Sequence, residues 1–327
     1  MILPLPLSPG DRGEAVSDVQ HRLAAVLPGI PVDADGIFGP ATRAAVEAFQ
    51  RLRGLRVDGV CGQQTWNTLV EAGFRLGDRF LYRRTPMLRG DDVADLQQRL
   101  CTLGFDTGRV DGIFGDDTTR ALAEFQRNAG LPVDGIVGGA TLRDLLRLES
   151  RHEEPELVSA VRARAVLRDA PPSLVGRHVA VGESGGLSSA AGALRRRLVL
   201  GGTRVTELHH PDDSTQAREA NELGVDVFVG LRLDPSASSC QTAFWSGRHD
   251  ESPGGRRLAE MVQTTVPAAL GLADAGVHGM SIPLLRETRM TAVLIELGPA
   301  STVVERAPSL AAALSSALGS WADASWD

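Results

Sequence analysis

The stretch VFVGLRLDPS, residues 227–236, carries four apolar side chains, Val227, Phe228, Val229 and Leu231, into Arg232 and Asp234 before Pro235 and Ser236 end it. A permanent cation and a carboxylate at the carboxyl end of a buried strand stand where open α/β sheets place their ligands. The pair therefore reads in three ways: a working site, the remains of one, or ordinary surface. A second group of candidates is the Asp-Gly pairs Asp35-Gly36, Asp58-Gly59, Asp111-Gly112 and Asp134-Gly135, with Asp33, Gly39, Gly62 and Gly115 close by. These suit left-handed turn positions and Asx-type caps, and capping alone accounts for the aspartates. The three cysteines, Cys61, Cys101 and Cys240, are scattered and lack metal-ligand spacing, so they read as free thiols of a reducing compartment.

The chain of 327 residues has room for two or three domains, each with its own core. It is 43% apolar and 23% charged, the composition of a globular protein. A net charge of −7 argues against nucleic acid or an anionic membrane as the main partner. The opening MILPLPLSPGDRGEAV has neither a basic region nor a small-residue cleavage site, and no stretch approaches the ~18 apolar residues of a membrane span. The expectation is a cytoplasmic protein with no signal peptide.

DGIFG occurs at 35–39 and again at 111–115, and the likeness extends both ways. AVSDVQHRL (15–23) matches DVADLQQRL (92–100), and AAVEAFQRLRGLRVDGVCGQQTWNTL (44–69) matches RALAEFQRNAGLPVDGIVGGATLRDL (120–145). Two copies of one module are implied, over residues 10–74 and 86–148. Each reads as three helices. In the first copy the inward faces carry Val16, Val19, Gln20 and Leu23, then Thr42, Ala45, Val46 and Phe49, then Thr65, Trp66, Leu69 and Val70. The pattern resembles the three-helix peptidoglycan-binding module, a resemblance that speaks to fold more than to ligand.

Residues 149–176 are charged, broken by Pro155, Pro171 and Pro172, and read as a linker with a short helix. From His178 strands and helices alternate. Strands are expected in HVAVG, RVTELHH, VDVFVGLRL, TAFWS and TAVLIELG, and helices over 188–202, 213–224, 252–270 and 307–322. The expected fold is thus α + α/β: two three-helix modules, then an α/β domain at 177–327 with a largely parallel sheet.

These later segments resemble the zinc-dependent N-acetylmuramoyl-L-alanine amidases. The resemblance implies a zinc held by a histidine in a first-strand DPGHGG loop, a glutamate on the next helix and a histidine in SIHAN, with a catalytic glutamate in a late strand. Here VGESGG (181–186) puts Ser184 at the first histidine position, and VGLRLD (229–234) puts Arg232 at the second. The glutamate-bearing segment is largely deleted, since Ser188 follows almost at once, and only Glu296 of VLIELGPAS stays in place. An arginine cannot ligate a cation and repels one, so no metal and no active catalytic residue are expected, with Glu296 vestigial. An ion pair between Arg232 and Glu296 is the expected use of both. The alternative is an anion or ligand pocket of Arg232, Glu296, His210 and Asp234. Zinc held by His209, His210, Asp212, Asp213 or His278 is the less favoured reading, because adjacent histidines on a strand point to opposite faces.

As a whole the chain resembles actinobacterial proteins that place two such modules before a degenerate amidase domain. FRLGDRFLYRRTPMLRGDDVADLQQRLCTLGFDTGRVDGIFG (74–115) carries the likeness. It implies a cytoplasmic, non-catalytic regulator of peptidoglycan precursor synthesis. The implied partner is a peptidoglycan-synthesis protein such as the UDP-N-acetylglucosamine enolpyruvyl transferase. In the mycobacterial form a serine/threonine kinase acts on a tail beyond the amidase domain; this sequence ends at Asp327. The alternatives are a zinc amidase hydrolysing peptidoglycan and a protein that binds muropeptide, a peptidoglycan precursor or cell wall.

Overall fold

Apolar residues recurring at helical spacing between Asp-Gly turns give the first half its helices. In the computed structural model, which describes residues 5–149 and 158–326, the first module comprises α1 (Glu14–Val26), α2 (Pro40–Leu52) and α3 (Gln63–Glu71). The second comprises α4 (Asp91–Thr102), α5 (Asp116–Asn128) and α6 (Gly139–Glu149). Leu23, Phe49 and Leu69 lie in one core, and Leu100, Phe125 and Leu145 occupy the matching places in the other. Single bridges close each module, Leu7 to Cys61 and Arg12 to Ile37 in the first, Leu81 to Val137 and Arg89 to Ile113 in the second. The second core therefore reaches back to Leu81, ahead of residue 86.

A buried glutamine holds each Asp-Gly turn. Gln97 donates to Asp111 (3.0 Å), to the Ile113 carbonyl (3.1 Å) and to the Thr118 hydroxyl (3.0 Å), and accepts the Gly112 N–H (2.8 Å). Gln126 repeats this with Asp134, Ile136, Thr141 and Gly135. Gln50 does so with Asp58, Val60, Thr65 and Gly59. Gln20 does so with Ile37, Thr42 and Gly36. Four such turns thus occur among the described residues, with Gly36, Gly59, Gly112 and Gly135 at φ of 74, 72, 73 and 68°. Gly39 and Gly62 do not adopt the left-handed conformation expected of them: at φ of −106 and −79° they are helix N-caps, as is Gly115 at −98°. Gly39 is small for a different reason. A Cβ there would stand 2.5 Å from the Asp33 carboxylate, which accepts the Gly39 and Thr42 N–H groups at the start of α2.

Residues 150–157 of the expected linker lie outside the described residues; the rest of it contains α7 (Val158–Asp169). In the second half the described residues form one six-stranded sheet in the order β2-β1-β3-β6-β4-β5. The strands are β1 (His178–Glu183), β2 (Arg204–His209), β3 (Val227–Leu233), β4 (Ser239–Trp245), β5 (Ala273–Met280) and β6 (Thr291–Leu297). Neighbours are parallel except β4 and β6.

Side chains alternate across the sheet. One face packs Val179, Val181, Leu231 and Ile295 under α8 (Ser188–Leu200), α10 (Pro253–Leu270) and α13 (Ala307–Ala322). The other packs Ala180, Phe228, Leu294 and Trp245 beside α9 (Asp213–Leu223) and α11 (Pro283–Glu287), which Asn221 joins by donating to the Glu287 carbonyl at 2.8 Å. A short α12 (Ala300–Glu305) precedes α13.

Replacing Gln97 with leucine, close to it in volume, leaves a buried turn without its donor and acceptor. We expect the first-half unfolding transition to lose about 3 kcal/mol, read by urea denaturation of the Gln97→Leu chain beside the wild type.

Candidate functional site

The parallel register of β3 and β6 sets Arg232 directly opposite Glu296, and the antiparallel register of β6 and β4 sets Gln241 on the other side of Glu296. All three side chains lie on the α9 face of the sheet, at the carboxyl ends of β3 and β6. Glu296 is only 4% exposed. A carboxylate so placed needs a counter-charge and donors. Arg232 Nη1 lies 3.5 Å from Glu296 Oε1, and the Gln241 amide donates to Oε2. The ion pair expected from the sequence is present.

Asp213, in the first turn of α9, completes the cluster by accepting from Arg232 Nη2. A carboxylate at a helix N-terminus also meets the positive end of the helix dipole. Gln216, one turn further on, fixes α9 against β1. Its amide donates to the carbonyls of His210 (2.5 Å) and Glu183 (3.3 Å) and to the Ser184 hydroxyl (3.5 Å). Gly182 makes room for this: a Cβ there would stand 2.2 Å from the Gln216 oxygen and 2.5 Å from the Phe228 ring.

Other candidates are spread out. The Asp234 carboxylate caps its own turn, accepting the Ser236 N–H (3.0 Å) and hydroxyl (2.6 Å). His210 Nδ1 accepts the Asp212 N–H, and Asp212 caps α9 through the Thr215 N–H. His278 lies on β5 at the far edge of the sheet and contacts the Ala275 carbonyl. His209 faces the α8 side, away from Arg232. Asp111 and Asp134 each serve a glutamine and their own turn, while Asp58 does the same through Gln50 and the Val60 N–H.

The sequence reading passed over Glu183. It is 5% exposed, and its carboxylate accepts from the N–H groups of Gly185 (2.9 Å) and Leu187 (3.1 Å), the Ser188 hydroxyl (3.0 Å) and His209 Nδ1 (3.0 Å). The Ser188 hydroxyl, at the start of α8, points to Glu183. The other ring nitrogen of His209 lies 3.3 Å from Glu207. Burial works to raise the Glu183 pKa, but the hydrogen bonds from His209, Leu187, Ser188 and Gly185 outweigh it and the net shift is downward. The hydrogen bond to Glu183 leads the causes that raise the pKa of His209. The only sequence signal was an acid between a strand and a Gly-Gly turn.

Zinc does not fit these residues. The Arg232 guanidinium fills the space between Asp213 and Glu296, Ser184 offers a neutral hydroxyl, and α8 begins at Ser188 straight after Gly185, Gly186 and Leu187, a turn that carries no glutamate. Among the described residues no three His, Cys, Asp or Glu side chains converge so as to hold a metal ion.

Residues 12–69 and 89–145 match the family model of the peptidoglycan binding domain, and residues 188–308 match that of N-acetylmuramoyl-L-alanine amidase. The chain is 36% identical over 330 residues to the N-acetylmuramoyl-L-alanine amidase CwlM of Mycobacterium tuberculosis, covering 88% of this chain and 80% of that one. It is 31% identical over 158 residues to a probable amidase of Bacillus licheniformis, 43% of this chain and 45% of that one. Among solved structures, an amidase of Mycobacterium smegmatis aligns with TM-score 0.41 and 15% identity, over 46% of this chain and 98% of that one.

Two outcomes are expected. Arg232→Ala leaves Glu296 and Asp213 without their cation and lowers stability by about 3 kcal/mol, and adding Glu296→Gln recovers part of the loss in a double-mutant cycle. His209 has a folded pKa above its ordinary 6.5, so its contribution is complete below that value and fades as pH rises through the raised one. Glu183 has a folded pKa below its ordinary 4.5, so its contribution fades as pH falls. The Tm deficit of His209→Gln is therefore largest between about pH 4.5 and 6.5 and shrinks in alkali, measured by calorimetry across that range.

Proposed function

The chain belongs to the N-acetylmuramoyl-L-alanine amidase family, in the form that places two peptidoglycan-binding domains ahead of the amidase domain, and from that premise we propose that it is a non-catalytic member acting through protein partners. The observation that carries this reading is the Arg232 cluster. Hydrolysis of an unactivated amide in this family calls for a Lewis acid with an open position and a carboxylate free to handle a proton. The retained Glu296 instead faces a guanidinium that cannot give up a proton at any working pH. Arg232 is held on its other side by Asp213, so the carboxylate and cation form part of the fold rather than a reaction centre.

Regulation of peptidoglycan precursor synthesis is the role that follows for a protein with this architecture and no hydrolytic chemistry. The UDP-N-acetylglucosamine enolpyruvyl transferase is the partner we propose first. A cytoplasmic site of action is part of the same reading. No helix among the described residues is long and apolar enough to cross a membrane.

A second reading is favoured by the paired peptidoglycan-binding domains. Their ligand would be a muropeptide or an intact wall strand, and co-sedimentation with purified sacculi tests it directly.

The purified chain should contain far less than one equivalent of zinc by elemental analysis and release no peptide from muropeptide substrates. About one zinc per chain, lost with activity on chelation, overturns the proposal. Arg232→His should not restore hydrolysis, because the positions of Ser184 and of the absent glutamate still supply no ligand.

A further inference from the structure

At the end of the sheet opposite the Arg232 cluster, α8 presents a face that nothing among the described residues covers. Ala190, Ala191, Leu194 and Leu198 point inward. The 3.6-residue repeat then turns Arg196, Val199 and Leu200 outward, with Arg195 and Arg197 at the borders. Leu200 is 89% exposed and Val199 48%. After the Gly201-Gly202 turn the chain enters β2 at Arg204. The Gly176 N–H bonds the Gly202 carbonyl at 3.1 Å and the Arg204 N–H bonds the Arg177 carbonyl at 2.9 Å. These bonds bring Val175, 66% exposed, against Gly202. Three exposed aliphatic side chains thus share one pole with a run of arginines.

Arg195 lies 3.7 Å from Glu207, but no carboxylate among the described residues pairs with Arg196, Arg197 or Arg204. This happens in a chain whose net charge is −7. A cation in the last helical turn suits the helix dipole, which accounts for Arg197. It does not account for Arg196 and Arg204, nor for a leucine left almost wholly in water at the same place. β1 and β2 begin at this pole, and six residues of strand at roughly 3.3 Å each separate it from the site at their carboxyl ends.

We propose that this pole is a docking surface for an acidic protein segment with aliphatic or aromatic anchors. Leu200, Val199 and Val175 supply the apolar contact, and Arg196, Arg197 and Arg204 supply planar donors matched to carboxylates. Apolar anchors beside arginine are the arrangement that concentrates binding energy at protein interfaces. The proposal rests on the reading that the chain works through protein partners, and it names the surface they would use. Charge decides the occupant: uncompensated arginines favour Asp- and Glu-rich chains and repel basic ones.

The test is to pan a random peptide library displayed on phage against the full chain, then measure the selected peptides on Leu200→Ser, Arg196→Glu and, as a control on the exposed surface of α9, Arg218→Glu. The expected result is peptides carrying several Asp or Glu beside Leu, Phe or Trp. Their affinity should fall at least about tenfold on Leu200→Ser and Arg196→Glu, stay unchanged on Arg218→Glu and weaken as salt is raised. Three results overturn the proposal. One is peptides without acidic character. Another is peptides that bind the Leu200 and Arg196 variants as well as wild type. The third is co-sedimentation of the chain with phosphatidylglycerol vesicles, lost on Leu200→Ser, which would make the occupant a membrane. Zinc-dependent hydrolysis by the same preparation would defeat the non-catalytic reading while leaving the peptide result to stand separately.

Discussion

A carboxylate buried at the end of a central strand cannot remain charged without a counter-ion, and in this protein the counter-ion is a side chain. Glu296 sits in β6 between β3 and β4, so whatever neutralises it must come from a neighbouring strand or from the helix above. Arg232 arrives from β3, Asp213 from α9 and Gln241 from β4. The cluster cross-links four elements, and it depends on their register: a one-residue slip of β3 would turn Arg232 to the α8 face and Leu231 to the α9 face. A metal site must leave a position open for water and substrate. A guanidinium held between two carboxylates leaves no such opening between them and adds to the fold instead.

The helical modules answer a similar problem with neutral groups. An Asp-Gly turn packed against helices exposes backbone donors and acceptors that water cannot reach. A glutamine carries an acceptor and two donors on one side chain and satisfies the turn from the helix it packs against. The threonine hydroxyl on the next helix takes part, so each clamp ties two helices and a turn together. That the arrangement recurs in both halves of both modules, with glycine and threonine always six residues apart, makes it the structural unit of the first half.

The sheet separates two polar networks that sequence proximity would merge. His209 and His210 are neighbours, yet His209 joins Glu183 and Glu207 on the α8 face while His210 belongs to the start of α9. β2 ends at His209, and the turn into α9 carries His210 away from it. An imidazole with a carboxylate at each nitrogen makes both hydrogen bonds only when protonated, and Glu183 in turn orders the Ser184–Leu187 turn.

The sequence by itself determined the repeated module, the helices whose apolar faces recur at helical spacing, and the strands β1, β2, β3, β4 and β6. The resemblance it carries implies, as an expectation, that Ser184 and Arg232 stand at metal-ligand positions of the family. The sequence did not reveal β5, in whose ADAGVHGM five of eight residues are glycine, alanine or aspartate and which lies at an exposed edge, nor α11 and α12, which are too short to show a period. Gly39 and Gly62 look like turn glycines because their neighbours are. Only the fold decided that Asp213, 19 residues before Arg232, and Glu296, 64 residues after it, share that one cation. Only the fold showed Glu183 buried with His209, and Leu200 left bare beside its arginines. The reason is physical. Helical and strand periods are local and can be counted along a chain, whereas the partner of a buried charge is set by strand order and register, which bring together residues far apart in sequence.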